Sequence, residues 1–355
     1  MKQQNTSAVQ KFIADEGLHP GSIQMDRETG SFLTEMERGL SASEESSLAM
    51  LPTYINLDHA IPVNRPVLVI DAGGTNFRVG IVSFNERLEP VISSFRKRSM
   101  PGFEREVTAR EFFASMADFV APVIGESDRI GFCFSYAAEI TPERDGRLLF
   151  FSKEIKAPEV RGMEVGANLL DALGTEQAGH ISSLTVLNDT VATLLAARAA
   201  ATQREYSGYI GFILGTGTNT CYLERQRNIG KLGAPDGDRS MIVNVESGNY
   251  CYSGSELDRQ FYATTKAPGM YRFEKLISGA YLGPYAAMVI GKAIEQGIFS
   301  PAFAGRYAGI RAIDTIVMDQ FLHAPWDREG SLAACCENEE DAATLYILLD
   351  SIIER

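Results

Sequence analysis

Apolar and polar residues follow two different spacings along this chain, and the changes between them mark out its elements. In "FLTEMERGL", Phe32, Leu33, Met36 and Leu40 recur at helical spacing, so residues 1 to about 60 read as largely helical. Pro52, Pro62 and Pro66 then interrupt the chain ahead of the first strong strand signal. "PVLVIDAGGTNFRVGIVSF" predicts a strand, a tight Gly-rich turn and a second strand. Residues 67–70 form a continuous apolar run and residues 77–84 are again β-rich. A helix is expected around residues 108–119, a buried strand leading into a loop in "RIGFCFSYAAEI", and a helix in "GANLLDAL". "SLTVLNDTVATLLAARAAA" reads as strand, polar turn and Ala/Leu-rich helix, and "SGYIGFILGTGTNTCYLE" as strand, Gly/Thr turn and strand.

Two of these units are alike. "IDAGGTNFRVGI" and "ILGTGTNTCYLE" both set Gly-Thr-Asn between apolar strands, with Thr75 and Thr218 as the matching threonines. A repeat so widely spaced is no solenoid unit; it points to two similar α/β halves, each built around a hairpin, with a ligand cleft between them. The length agrees, since 355 residues are enough for two domains.

Composition narrows the function classes. Hydrophobic residues make up 45% and charged residues 22%, the balance of a folded soluble protein. With 33 basic against 46 acidic residues the net charge is −13, which argues against a general nucleic-acid binder. There is no apolar run of about eighteen residues to cross a membrane, and the N-terminus lacks the apolar centre of a secretory signal. The five cysteines (Cys133, Cys221, Cys251, Cys335, Cys336) are odd in number and have no CxxC spacing. That pattern fits a reducing cytoplasm, with the adjacent Cys335 and Cys336 expected in a buried helix, and it shows no zinc site. The four histidines join no Ser/Asp or Cys pattern, so a His-based triad has little support.

The chemistry-bearing motifs each admit two readings. Glycines between strands let backbone N–H groups approach an anion, with Thr hydroxyls as further donors; equally, hairpin turns need their backbone freedom. There is no GxxxxGK[ST], and the residues after "GTGTNT" read as a strand where a dinucleotide fingerprint needs a helix. In "VLNDTVATLL", Asp189 or Thr190 could cap the helix. Alternatively, Asp189 faces a cleft and accepts a proton from a substrate hydroxyl, with Asn188 bonding a neighbouring hydroxyl. Ser152 and Lys153, Glu246 at the end of a Val-rich strand, and Glu274 near a helix start are each explained by solvent or a helix dipole when taken singly.

Taken in order, "LAMLPTYI", "DAGGTNFRVGIV", "GFCFSYAAEI", "FFSKEIKA", "VLNDTVATLL", "GFILGTGTNTCYLE", "IVNVESGNY" and "FEKLISGAYLG" resemble the hexokinases, sugar kinases of the actin-like ATPase superfamily, with a bacterial flavour. The resemblance runs from about residue 27 to the end. It implies two α/β domains of duplicated actin-like ATPase (ribonuclease H-like) topology, closing over a hexose, glucose foremost, and ATP with Mg2+. Its boundaries are an N-terminal helical segment, 1–63, packed on the large domain, a small domain at 64–187 and a large domain at 188–355. It implies that Asp71, Gly73, Gly74, Thr75, Asn76 and Arg78 form the first phosphate turn, with Asp71 near Mg2+ through water, and that Gly215, Thr216, Gly217 and Thr218 form the second. Ser135, Ser152, Lys153, Asn188, Asn219, Glu246 and Glu274 match the polar ring around the sugar, and Asp189 the general base for its 6-hydroxyl.

Departures from the pattern carry expectations of their own. Ser152 stands where threonine is common and keeps the hydroxyl, while Ala137 and Ser247 replace a proline and a tryptophan, implying looser loops. The family continues past "ATLYILLDSIIER" with an adenosine-binding segment, so the chain reads as a truncated product. Its last helix, with Leu345, Ile347, Leu348, Leu349, Ile352 and Ile353, would then expose an apolar face. Two further classes stay in view: a non-catalytic sugar-binding or regulatory protein, and an actin- or chaperone-like ATPase, which has no use for Lys153, Asn188, Glu246 and Glu274 together. A DNA-binding repressor fits less well, because no helix-turn-helix module precedes the core.

Overall fold

The computed structural model describes residues 2–58, 60–151, 155–200, 206–233 and 238–355. Two helices open the chain, α1 (Lys2–Asp15) and α2 (Met25–Leu40). Phe32, Met36 and Leu40 of α2 pack on Leu48, Met50 and Tyr250, whereas Leu33, on the same predicted stripe, is exposed. β1 (Leu51–Pro52) follows, so Pro52 lies within a short strand. A proline is tolerated there because β1 sits at the edge of its sheet.

The first sheet contains β2 (Val67–Ala72), β3 (Asn76–Phe84), β4 (Pro90–Ser99), then β5 (Arg129–Phe134) after helix α3 (Ala109–Val120). Thr108 and Glu111 close a capping box at the start of α3, which is why the helix begins where the sequence predicts. β6 (Ala137–Ile140) and β7 (Gly146–Phe150) form a separate ribbon; the sequence reads as an apolar strand just before Ser152, where β7 lies, but only as a loop over β6. Helices α4 (Val165–Leu173) and α5 (Thr175–Ala178) lead to β8 (Ser183–Leu187). The strand order is β4-β3-β2-β5-β8, with β2, β5 and β8 parallel and the β2–β3–β4 meander antiparallel. Along β2 the buried residues alternate (Leu68, Ile70, Ala72), placing Asp71 on the partly open face. The core beneath joins Phe77, Val79, Phe112, Met116, Phe132, Leu169 and Val186.

The second sheet is led into by α6 (Asp189–Ala200) and consists of β9 (Ile210–Leu214), β10 (Thr218–Arg225) and β11 (Ser240–Asn244), ordered β1-β11-β10-β9 and wholly antiparallel. Val191 and Leu194 of α6 pack on Cys221 and Ile242. Both sheets therefore hold a strand–Gly turn–strand hairpin, β2–β3 and β9–β10. β2 is flanked by β5, but β9 is an edge strand whose Ile210, Phe212 and Leu214 are exposed.

The remaining helices are α7 (Glu256–Thr264), α8 (Glu274–Ile277), α9 (Leu282–Glu295), α10 (Pro301–Tyr307), α11 (Thr315–His323) and α12 (Glu339–Glu354). Val9 and Phe12 of α1 share one core with Tyr285, Val289, Phe303, Leu345 and Leu348. The apolar face of the last helix is thus covered, contrary to the expectation of an exposed one: Leu345, Leu348, Leu349 and Ile352 are all buried, and only Ile353 is largely exposed. The exposed apolar row lies on β9 instead. Cys335 and Cys336 are buried at a short 3-10 turn, and none of the five cysteines is in a disulfide. Among the described residues no helix is long and apolar enough to cross a membrane.

Candidate functional site

The junction between β8 and α6 places the first two site residues. Asn188, not Asp189 or Thr190, provides the side-chain cap: its Oδ1 accepts the N–H of Thr190 at 2.9 Å. Asp189 begins the helix, half-buried, and its carboxylate takes only a long bond from the Thr190 hydroxyl at 3.4 Å among the described residues. The cap leaves the Asp189 carboxylate available for chemistry.

A polar floor lies beside it. Asn219, the second residue of β10, has its Oδ1 engaged by the backbone N–H groups of Thr220 at 2.7 Å and Ser247 at 3.3 Å. Its Nδ2 therefore faces inward, 3.4 Å from Asn188 Oδ1, 2.8 Å from Asn244 Oδ1 and 3.2 Å from Glu246 Oε1. Asn244 donates in turn to Glu246 Oε1 at 2.8 Å. Glu246 follows β11 in the left-handed region, φ 58°, a conformation that a non-glycine residue holds only where its surroundings impose it. Desolvation at the floor of the cleft, joined by the charges of Asp189 and Glu274, pushes the Glu246 carboxyl above the ordinary range against the bonds from Asn244 and Asn219. Three carboxylates thus converge. Ser247, on the loop expected to be loose, is buried and its hydroxyl meets Thr220 Oγ1 at 2.8 Å.

Glu274 connects this floor to the second Gly-rich turn. Its Oε2 accepts the backbone N–H of Thr218 at 2.9 Å, and a Cβ on Gly217 would lie 2.6 Å from the same oxygen, so a larger residue there would have to displace the carboxylate. The Thr218 hydroxyl donates to Ile213 O at 3.0 Å, so this residue spends both donors internally and is not available to a phosphate. Among the described residues, the N–H groups of Thr216 and Gly217 stay open, and Gly215 and Thr216 are exposed.

The first turn, at residues 73–75, caps the β2–β3 hairpin. Tyr136 donates its hydroxyl to Gly73 O at 2.6 Å, while Met100 N–H bonds Thr75 O at 2.9 Å. The N–H groups of Gly74 and Thr75 are open among the described residues. Asp71 and Arg78, opposite each other in the hairpin register, form an ion pair, with the other Asp71 oxygen directed toward Gly73. Asn76 is held by its carbonyl, which accepts Gly73 N–H at 3.0 Å. Ser135 follows β5 and donates its backbone N–H to Ala72 O at 3.1 Å, next to Asp71.

The structure therefore sorts the predicted residues into two groups. Asn188, Asp189, Asn219, Glu246 and Glu274 come together with the second turn; Asp71, Gly73, Gly74, Thr75, Asn76, Arg78 and Ser135 gather at the end of the first sheet. A narrow void lined by Thr53, Phe134, Tyr136, Asn188 and Asn244 brings the residues after β5 beside the β8–α6 junction. Ser152 and Lys153 lie outside the described residues. Sequence reasoning missed Tyr136 in "GFCFSYAAEI" and Asn244 in "IVNVESGNY", for nothing local sets either apart from its neighbours; only strand register brings Asn244 to Asn219.

The donor set fits a polyphosphate. Four open backbone N–H groups with the Thr75 and Thr216 hydroxyls suit phosphate oxygens, and one carboxylate, Asp71, suits a hydrated divalent ion held largely by those phosphates.

Known proteins resemble this chain in sequence and in fold. Residues 14–199 match a family model described as Hexokinase, and residues 209–355 match a second model of the same description. Hexokinase-3 of Homo sapiens is 30% identical over 306 residues, 82% of this chain and 32% of that protein. Hexokinase-1 of Rattus norvegicus is 29% identical over 279 residues, 74% of this chain and 30% of that protein. The chain thus spans about a third of the length of these relatives. Among solved structures, a hexokinase from Schistosoma mansoni complexed with glucose superposes with a TM-score of 0.77 at 21% identity, covering 99% of this chain and 82% of that one. A second crystal structure of a hexokinase gives 0.69 at 22% identity, with 98% and 82% covered.

Proposed function

The chain belongs to the hexokinase family, and from that premise we propose that it transfers the γ-phosphate of ATP to the 6-hydroxyl of glucose or a similar hexose. The observation that carries this reading is the Asp189 carboxylate, left free by the Asn188 cap, beside a floor of amides and carboxylates. Asn188, Asn219, Glu246 and Glu274 are the kind of groups that bond adjacent sugar hydroxyls in pairs, and the family resemblance adds Ser135, Ser152 and Lys153 as further sugar contacts. Asp189 accepts the proton of the 6-hydroxyl, which makes that oxygen the nucleophile.

ATP, bound with Mg2+, supplies the phosphoryl group and a counter-charge for it. The N–H groups of Gly74, Thr75, Thr216 and Gly217, with the hydroxyls of Thr75 and Thr216, would hold the phosphates, and Asp71, steadied by Arg78, the hydrated ion. Separate cores support residues 64–187 as a small domain that moves against the rest, excluding water from the 6-hydroxyl. Cysteines outside any disulfide and the acidic charge fit a cytoplasmic enzyme without nucleic-acid or membrane partners.

A second reading, sugar binding without transfer, is favoured by one feature: among the described residues β9, which leads into the second turn, has an open edge where β2 has β5. The test is ATP-dependent phosphorylation of glucose, mannose and fructose by the purified chain, together with equilibrium binding of each sugar. Transfer to a hexose supports the kinase. Binding with no transfer selects the second reading, and neither binding nor transfer overturns both.

A further inference from the structure

Asn244 ends β11 directly opposite Cys221 of β10, so strand alternation puts its side chain on the face that carries Asn219. It is buried, at 4% exposure, and both ends of its amide are used. The orientation follows from a chain of bonds. Backbone N–H groups occupy the Asn219 oxygen, so the Asn219 amino group must donate to Asn244 Oδ1, at 2.8 Å. That leaves the Asn244 amino group to donate to Glu246 Oε1, also at 2.8 Å. Two amides therefore fasten one oxygen of Glu246, and among the described residues no hydrogen bond uses the other. A glutamate side chain has three rotatable torsions, and here one end of its carboxylate is fixed.

We propose that Asn244 is a positioning residue of the sugar site: it pins Oε1 of Glu246 so that Oε2 is presented to a sugar hydroxyl. The inference rests on the hexose reading of the site. Asn244 acts through Glu246 and touches no reacting atom, so its effect falls on affinity for the sugar and not on the proton transfer at Asp189. It also opposes the surroundings of the carboxyl. Burial, Asp189 at the start of α6 and Glu274 of α8 all favour protonated Glu246, and Tyr271 faces it from the loop before α8; the Asn244 bond is the largest contribution toward the ionised form.

The test is equilibrium dialysis of radiolabelled glucose against the whole chain from pH 6 to 9, with thermal melting of each variant recorded alongside. Asn244→Leu keeps the size and removes the donor. Loss of a hydrogen bond to a charged group is worth about tenfold or more in affinity, so its glucose Kd should rise by about that factor at pH 7. It should recover partly toward pH 9, as Glu246 becomes ionised without help, over a range in which the wild-type Kd changes less. Asn244→Asp keeps the shape and the Asn219 bond, but can donate to Glu246 only while protonated. It should lose affinity as pH rises, a slope opposite to that of Asn244→Leu, and it decides the matter if the leucine variant does not fold. A merely structural role would not produce opposite slopes. Kd values within about threefold of wild type, with an unchanged pH profile, would overturn the role of Asn244. A wild-type chain that binds no glucose would overturn the hexose reading itself.

Discussion

Glu274 accepts the backbone N–H of Thr218 at 2.9 Å, across 56 residues of sequence, so one carboxylate belongs at once to the polar floor and to the Gly-rich turn after β9. Anything that moves this turn moves a group proposed to hold the sugar. Under the proposed function the sites for sugar and phosphate are mechanically joined through one side chain.

Gly217 tests that coupling. A Cβ there would stand 2.6 Å from Glu274 Oε2 and 3.4 Å from its carboxyl carbon, closer than the carboxylate can tolerate without moving. Gly217→Ala should raise the Kd for glucose about tenfold even with no nucleotide present, as expected when a charged hydrogen-bonding group is displaced. A variant altered only in its response to ATP would show that the two sites are not joined in this way.

Much of this arrangement is legible in the sequence, and the division is physical. The two hairpins show in advance because apolar strands and a Gly-rich turn are local signals, and the strand leading to Asn188 and Asp189 shows for the same reason. What stays hidden depends on register and distance. Asn244 is one polar residue in "IVNVESGNY" until β11 pairs with β10 and brings it to Asn219. The β6–β7 ribbon is short, with a polar turn at residues 141–145 that looks like loop. The covering of α12 by α1 joins the two ends of the chain, which no local pattern encodes, and it reverses the expectation of an exposed helix face.

Thr218 shows a subtler limit. The repeated Gly-Thr-Asn equates it with Thr75, but Thr75 sits exposed in its turn whereas Thr218 has already entered β10 and is buried. The motif is shifted by one residue relative to the hairpin. Composition at a turn predicts the kind of chemistry, and backbone register decides which residue performs it.

The raised Glu246 carboxyl sets a pH dependence whose sign is fixed. Held above its unfolded value, chiefly by burial, the group keeps a proton in the folded chain over a range in which the unfolded chain has lost it. Stability contributed by that proton is complete below the unfolded carboxyl range and is lost as pH rises through the folded pKa. Glu246→Gln should therefore melt higher than wild type above that window, without ligand, while binding glucose at least about tenfold more weakly. Melting temperatures at pH 5 and pH 8 measure it. A Gln variant less stable than wild type at pH 8 would contradict the account.

Arg355 makes a second, purely structural case. Its guanidinium spans both oxygens of Asp258, which is fully buried and also accepts the Tyr285 hydroxyl at 2.5 Å. Burial pushes the Asp258 carboxyl up, but the bonds and charge of Arg355 outweigh it and hold the group below the usual range. Removing one partner of such a pair leaves a buried charge, at a cost of about 3–5 kcal/mol. Arg355→Leu should unfold at markedly lower urea concentration, and adding Asp258→Asn should restore a good part of the loss. Equal stability of the single variant and wild type would exclude the pair as an anchor between Arg355 and α7.

The central claim is that Asp189 takes the proton from the sugar. The most direct measurement is the turnover number of Asp189→Ala for glucose phosphorylation, with glucose Kd determined on the same preparation. A positioned general base contributes about 10²- to 10⁴-fold. Turnover should fall by that factor while Kd stays within about threefold, since Asn188 and not Asp189 caps α6. Turnover within tenfold of wild type, with the sugar still bound, would contradict the assignment.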